Sequence, residues 1–176
     1  GSGPVPEMPA FREAYGLTAA MTSGVDLLRG MARMANIEIL EIPGVTDGPD
    51  NDYVAQAEGA IAALKNYDLV VIHIESPDEA GHGGHLDEKI RAIEAIDKEV
   101  IGRLRQYRGD ELRLLAMPDH PTPLGLRTHT REPVPFLLYG PGFSAGGAQG
   151  FTEPEAAATG VFIEDGYTIM EKLVRE

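Results

Sequence analysis

The residues best suited to chemistry fall in two short clusters of acids and histidines. Asp78 and His82 share the segment Ser76–His82, and Asp119 and His120 are adjacent, with His129 further along the same stretch. A spacing of four places Asp78 and His82 one helical turn apart if their segment turns, so a carboxylate and an imidazole can share one cation. Asp119 and His120 point in opposing directions if extended, but both reach inward from a turn. His129, within Leu126–Thr130, can fold back to supply a third ligand. The chain has no cysteine, which excludes a disulfide framework, a thiolate metal site and a cysteine nucleophile. Any metal must therefore be held by His and carboxylate. That donor set suits Zn²⁺ or Mn²⁺, and Mg²⁺ less well because it prefers an oxygen-dominated shell. Two such cations roughly 4 Å apart would polarise a phosphoryl group and activate an oxygen nucleophile.

Each residue also has a plainer reading. Asp78 follows Pro77 and is placed to cap a helix. His73 lies inside an apolar strand, where it reads as a packed, satisfied histidine. His85, close to Asp87 at the start of a long helix, reads as solvated or capping, and Glu79 as a surface or outer group. Arg127 and Arg131 flank His129 and are the nearest cations to a bound phosphate. The acidic stripe on helix 86–107 is a solvated face.

The elements that must position these groups alternate along the chain. Short runs rich in Val, Ile and Leu, bounded by Pro, Gly or Asp, predict strands at about Leu17–Ser23, Ile37–Ile42, Asp68–Glu75, Glu111–Met117 and Val134–Tyr139. Helical periodicity covers Val25–Ala35, Tyr53–Leu64 and Leu86–Tyr107, the last with Leu86, Ile90, Ile93, Ile96, Val100, Ile101 and Leu104 on one stripe. A final helix is predicted at Gly166–Val174. Asp52 is placed to cap the second helix, Gly109 to follow the third, and Pro118, Pro121 and Pro123 to stop the fourth strand. The pattern predicts an α/β fold, a largely parallel sheet with helices on both faces. Asp78 and His82 follow one strand, and Asp119 and His120 another. In an open parallel sheet both clusters then fall beyond the carboxyl ends of strands, on the same edge. The connections 118–133 and 140–154 are long for such a fold, as functional loops are.

At 176 residues the sequence suits one domain with a real core. Its composition, 43% hydrophobic and 24% charged, excludes a disordered tail or a collagen-like repeat. Asp and Glu number 28 against 15 Lys and Arg, a net charge of −13, so the long-range field repels nucleic acid and anionic membranes. A phosphorylated substrate would need local cations. No apolar run approaches the roughly 20 residues of a membrane span, and no signal-like segment opens the chain, so a cytoplasmic location is expected.

The strings HIESPDEAGHGGHLDEKIRAIEAID (73–97) and AMPDHPTPLGLRTHTREPVPFLLYGPG (116–142) resemble the archaeal-type cofactor-independent phosphoglycerate mutases of the alkaline phosphatase superfamily. The resemblance continues through FREAYGLTAAMTSGVDLLRGMARMANI (11–37) and ATGVFIEDGYTIMEKL (158–173), and so covers nearly the whole chain. It implies an alkaline phosphatase-like core and an enzyme interconverting 3-phosphoglycerate and 2-phosphoglycerate in glycolysis through a phosphoserine, with two divalent metals, usually Mn²⁺ or Zn²⁺, and no 2,3-bisphosphoglycerate. By resemblance, Asp78, His82 and His129 match the ligands of one metal, and Asp119 and His120 match two ligands of the other. That second metal's remaining ligands in the family, an Asp and the nucleophilic Ser, lie in a segment with no counterpart here. Ser23, Ser76, Thr122 and Thr130 carry hydroxyls, but none stands in the nucleophile's context. The chain is therefore expected to be the C-terminal part of such a mutase, without the nucleophile segment and the inserted domain, and inactive alone. A related phosphonopyruvate decarboxylase-like or homoserine kinase-like phosphotransferase, a metal-dependent phosphatase and a non-catalytic metal-binding domain remain open from the sequence.

Overall fold

The computed structural model describes residues 6–108 and 111–175; Gly109, expected after the third helix, lies outside them. The elements in order are α1 (Phe11–Tyr15), β1 (Ala19–Thr22), α2 (Asp26–Met34), β2 (Glu38–Ile39), α3 (Tyr53–Ala63), β3 (Leu69–Ile72), α4 (Ser76–Gly83) and α5 (Leu86–Ala95). A π-helical turn, Ile96–Ile101, joins α5 to α6 (Gly102–Arg108). Then follow β4 (Leu114–Ala116), β5 (Leu137–Tyr139), α7 (Glu153–Ala158), a 3₁₀ turn at Gly166–Thr168 and α8 (Ile169–Arg175). Among the described residues no helix is long and apolar enough to cross a membrane.

The parallel sheet has the order β2-β1-β3. β1 pairs with β3 from Ala19 opposite Leu69 to Thr22 opposite Ile72, and with β2 through Ala20 opposite Glu38. Asp68 pins the lower end of this register, its Oδ2 accepting from the Thr18 N–H at 2.8 Å and from the Thr18 hydroxyl at 2.7 Å. The chain steps from β1 to β2 on one side and then crosses to β3 on the other. Right-handed crossovers therefore put α2 and α3 on opposite faces of the sheet. α2 packs on β1 and β2, and α3 on β1 and β3. The crevice where the strand order reverses lies at the carboxyl ends of β1 and β3, the place such sheets bind ligands.

Two expectations need correction. The fourth and fifth strands do not extend the parallel sheet: β4 and β5 form their own antiparallel pair, Leu114 opposite Tyr139 and Ala116 opposite Leu137. Parallel pairing needs a crossover, commonly a helix, and the connection between β4 and β5 contains none, so the chain returns antiparallel. The apolar stripe of helix 86–107 is also split. Val100 and Leu104 are buried against Ala57, Ile61, Ile72 and Leu114, whereas Leu86, Ile90 and Ile93 are exposed. The π turn carries more residues per turn than an α-helix, so the apolar positions on either side of it fall out of phase.

Candidate metal centre

β3 delivers the chain directly into α4, whose first turn contains Pro77, a residue whose missing N–H costs nothing there. The N-cap position belongs to Glu75, and no side chain caps this helix. Asp78 is therefore free of the capping role and turns toward the loop after β4. Asp78 Oδ2 lies 3.2 Å from His82 Nε2, one turn along α4, and Asp78 Oδ1 lies 3.4 Å from His129 Nε2. The triangle closes with His82 Nε2 at 3.0 Å from His129 Nε2. All three ligand atoms lie within 4.8 Å of one another.

The hydrogen bonds around this triangle decide which lone pairs face inward. His82 Nδ1 lies 2.9 Å from the Arg127 carbonyl, which only accepts. Nδ1 therefore carries a proton, and Nε2 is the nitrogen that faces Asp78 and His129, where it can give its lone pair to a cation. Arg127 reaches this place through a left-handed backbone, φ 55°, directly before Thr128 and His129. Bonds of about 2.0–2.1 Å from a tetrahedral cation set its ligand atoms roughly 3.3 Å apart, close to the three separations here. The side chains are graded in exposure, 18% for Asp78, 38% for His82 and 51% for His129, so the triangle is open on the His129 side.

Asp119 and His120 come off β4 at the same edge. His120 Nε2 lies 3.4 Å from Asp119 Oδ2, and the His120 ring stacks on His129 at a centroid distance of 3.7 Å. His120 Nδ1 points back toward Asp78 Oδ1, 3.9 Å away. Asp78, His82, Asp119, His120 and His129 thus lie together on one edge of the molecule.

His73, just past β3, has both ring nitrogens engaged by protein. Nε2 lies 3.3 Å from the Glu75 carboxylate and Nδ1 lies 3.0 Å from Ser23 Oγ, which itself accepts from the Val25 N–H. A carboxylate only accepts, so Nε2 donates and Nδ1 receives the Ser23 hydroxyl; no lone pair remains for a metal. Burial holds His73 below the usual histidine range, against the opposing pull of Asp119 and Asp78. His85 occupies the N-cap position of α5, makes no side-chain cap and pairs with Glu88 at 3.1 Å. Glu75, Asp78 and Glu79 form a second group of close carboxylates on the flank of the triangle.

The profile of the Metalloenzyme superfamily matches residues 1–174. The chain belongs to that superfamily.

The chain is 41% identical over 99% of its length to a protein of Geobacter sulfurreducens named a probable 2,3-bisphosphoglycerate-independent phosphoglycerate mutase, and covers 44% of it. It is 45% identical over 87% of its length to 2,3-bisphosphoglycerate-independent phosphoglycerate mutase 2 of Methanothermobacter thermautotrophicus, and covers 38% of that protein. The chain thus spans less than half the length of these relatives. A solved protein of Pyrococcus horikoshii superposes with a TM-score of 0.85 at 29% identity, over 94% of this chain and 51% of that one. The cofactor-independent phosphoglycerate mutase of Thermoplasma acidophilum superposes with a TM-score of 0.73 at 25% identity, over 96% and 39%. The fold is that of the alkaline phosphatase-like mutases.

Two residues near this edge carried no sequence signal. Lys89 on α5 donates to the Thr122 carbonyl at 2.8 Å, and its burial lowers its pKa against the pull of Asp78. Gln56, fully buried on α3, accepts from Asn51 at 2.9 Å and donates to the His73 carbonyl at 2.9 Å. Lys89 is held by a loop 33 positions on, and Gln56 by Asn51 five positions before it and His73 seventeen after it, so neither follows the periodic spacing of its helix.

Proposed function

We propose that this chain supplies the metal-binding half of a 2,3-bisphosphoglycerate-independent phosphoglycerate mutase of glycolysis, acting on phosphoglycerate in the cytoplasm. The observation that carries the reading is the convergence of Asp78, His82 and His129, from α4 and the loop after β4, into one triangle of ligand atoms. The names and extents of its relatives supply the reaction. In this reading Asp78, His82 and His129 hold one divalent cation, Asp119 and His120 contribute to a second, and the donor set favours Mn²⁺ or Zn²⁺ over Mg²⁺. The cations supply Lewis-acid polarisation of the phosphoryl oxygens.

The chain's own residues do the rest. The Arg127 carbonyl fixes the His82 tautomer, and the Arg127 guanidinium lies against Gly84 at the end of α4. Glu75, Asp78, Glu79 and Asp119 gather negative charge at this edge, which would repel a phosphorylated acid unless cations offset it. Metal binding and substrate admission are therefore linked by charge. The domain boundary follows the same reading: residues 1–176 form the C-terminal part of the metalloenzyme core, with the nucleophile supplied by a segment outside them.

The test is the complete product of the gene encoding this chain, stripped of metal, resupplied with Mn²⁺ and assayed by coupling 2-phosphoglycerate formation to enolase. Turnover of 3-phosphoglycerate that falls by more than about 100-fold in His129→Ala supports the reading. Turnover unchanged in that variant, or no turnover with 3-phosphoglycerate, overturns it.

A further inference from the structure

The Thr122 side chain is buried between the two clusters and touches both. Its hydroxyl donates to Asp78 Oδ1, and the same oxygen lies 3.3 Å from His120 Nδ1. The direction of this chain of bonds is fixed by elementary chemistry. A carboxylate accepts only, so the single hydroxyl proton must point to Asp78. The hydroxyl oxygen then has lone pairs alone to offer His120, and Nδ1 must carry a proton to meet them. His120 Nε2, 3.4 Å from Asp119 Oδ2, is then the nitrogen left to meet a cation.

The backbone of Thr122 is held as firmly as its hydroxyl. Lys89 donates to the Thr122 carbonyl at 2.8 Å. Gly81 brings α4 so close that a Cβ there would stand 2.7 Å from the same carbonyl oxygen. Asp78 and Thr122 are thus locked in register by contacts that do not involve either cluster's ligand atoms.

We infer that Thr122 is a positioning residue that couples the two metal positions, by setting the His120 tautomer through a hydrogen bond it passes on to Asp78. The inference rests on the two-cation reading and deepens it. Partners that orient an imidazole from behind tune its metal affinity by about 10–100-fold. Here one hydroxyl serves a ligand of each position, so loading one position favours the arrangement the other needs.

The experiment uses the complete gene product, selectively labelled with ¹⁵N-histidine, and Mn²⁺ titrations followed by calorimetry. In the metal-free wild type, His120 should show the Nδ1-protonated tautomer. Thr122→Val, close in size, should lose that tautomer preference and weaken Mn²⁺ binding by about 10–100-fold, while Thr122→Ser restores both. A His120 that carries no proton on Nδ1 in the wild type overturns the inference even if Thr122→Val fails to fold. Unaltered binding in Thr122→Val also overturns it, and if a His82→Ala, His129→Ala variant loses binding in the same series, the metal reading survives alone. Binding absent from the wild type, or unaltered in that double variant, overturns both.

Discussion

His82 Nε2 and His129 Nε2 face each other at 3.0 Å across 47 positions of sequence, with Asp78 completing the triangle beneath them. With a His82 proton held at Nδ1 by the Arg127 carbonyl, Nε2 is the nitrogen His82 turns to His129 and Asp78. Removing either imidazole removes a ligand atom and not just an outer partner. His82→Ala or His129→Ala is expected to weaken Mn²⁺ or Zn²⁺ binding by more than about 10-fold, since ligand loss should exceed the roughly 10–100-fold typical of second-sphere changes. Calorimetric titration of metal-stripped protein checks this, and an unchanged isotherm in the double variant would discard the ligand set.

His73 is the control for that experiment. Both its nitrogens are engaged, by Ser23 and Glu75, so it has no lone pair to lose. His73→Gln should leave metal affinity within a few-fold of the wild type, with about 1–3 kcal/mol lost from stability as the Ser23 and Glu75 groups lose their partner. If the same titration ranked His73→Gln as more damaging than His82→Ala, the triangle would be the wrong site.

Gly84 ends α4 in the left-handed region, φ 72°, and a Cβ there would meet Arg127 Nε at 2.7 Å. Gly84→Ala therefore costs backbone strain of about 1–2 kcal/mol and pushes on the residue whose carbonyl orients His82. Both a lower midpoint in urea and weaker metal binding are expected. Gly30, whose added Cβ meets nothing within 4 Å, serves as comparison: Gly30→Ala should leave metal binding unaltered.

Much of this edge was legible because local rules and the tertiary outcome agree. Asp78 and His82 share a helix face by a spacing of four, and β1 and β3 pair in parallel within their apolar runs, although β3 stops at Ile72 and leaves His73, expected inside it, just beyond. The antiparallel turn of β4 and β5 was not legible, because apolar runs carry no direction and the missing crossover shows only as an irregular loop. The exposure of Leu86, Ile90 and Ile93 was hidden by the π turn, which breaks the phase that periodicity assumes. Gln56 was passed over because a polar side chain on a helix reads as solvent-facing, whereas it is fully buried here.

That buried amide gives a stability prediction. Gln56 satisfies the Asn51 side chain and the His73 carbonyl and reaches Thr22 at 3.4 Å. Gln56→Leu keeps the volume but leaves a buried donor and a buried carbonyl without partners, at about 1–3 kcal/mol each. Denaturant unfolding should register a loss of that order, and a neutral result would mean the cavity admits water to those groups.

Glu75 links the acidic edge to pH. Burial first, then the carboxylates of Asp78, Asp119 and Glu79, raise its pKa above the ordinary glutamate value. A carboxyl raised on folding binds its proton more tightly in the folded chain than in the unfolded one. Its contribution favours folding in acid and is lost as pH climbs from the unfolded value, about 4.3, through the folded one. Glu75→Gln is neutral throughout and escapes that loss. The midpoint of thermal unfolding of the metal-free variant should therefore gain on the wild type as pH rises from about 4 toward 7. Saturating Mn²⁺ should narrow the gap, because a cation at Asp78 offsets the repulsion that Glu75 feels. A gap independent of both pH and metal would show that Glu75 does not sense the charge of the triangle.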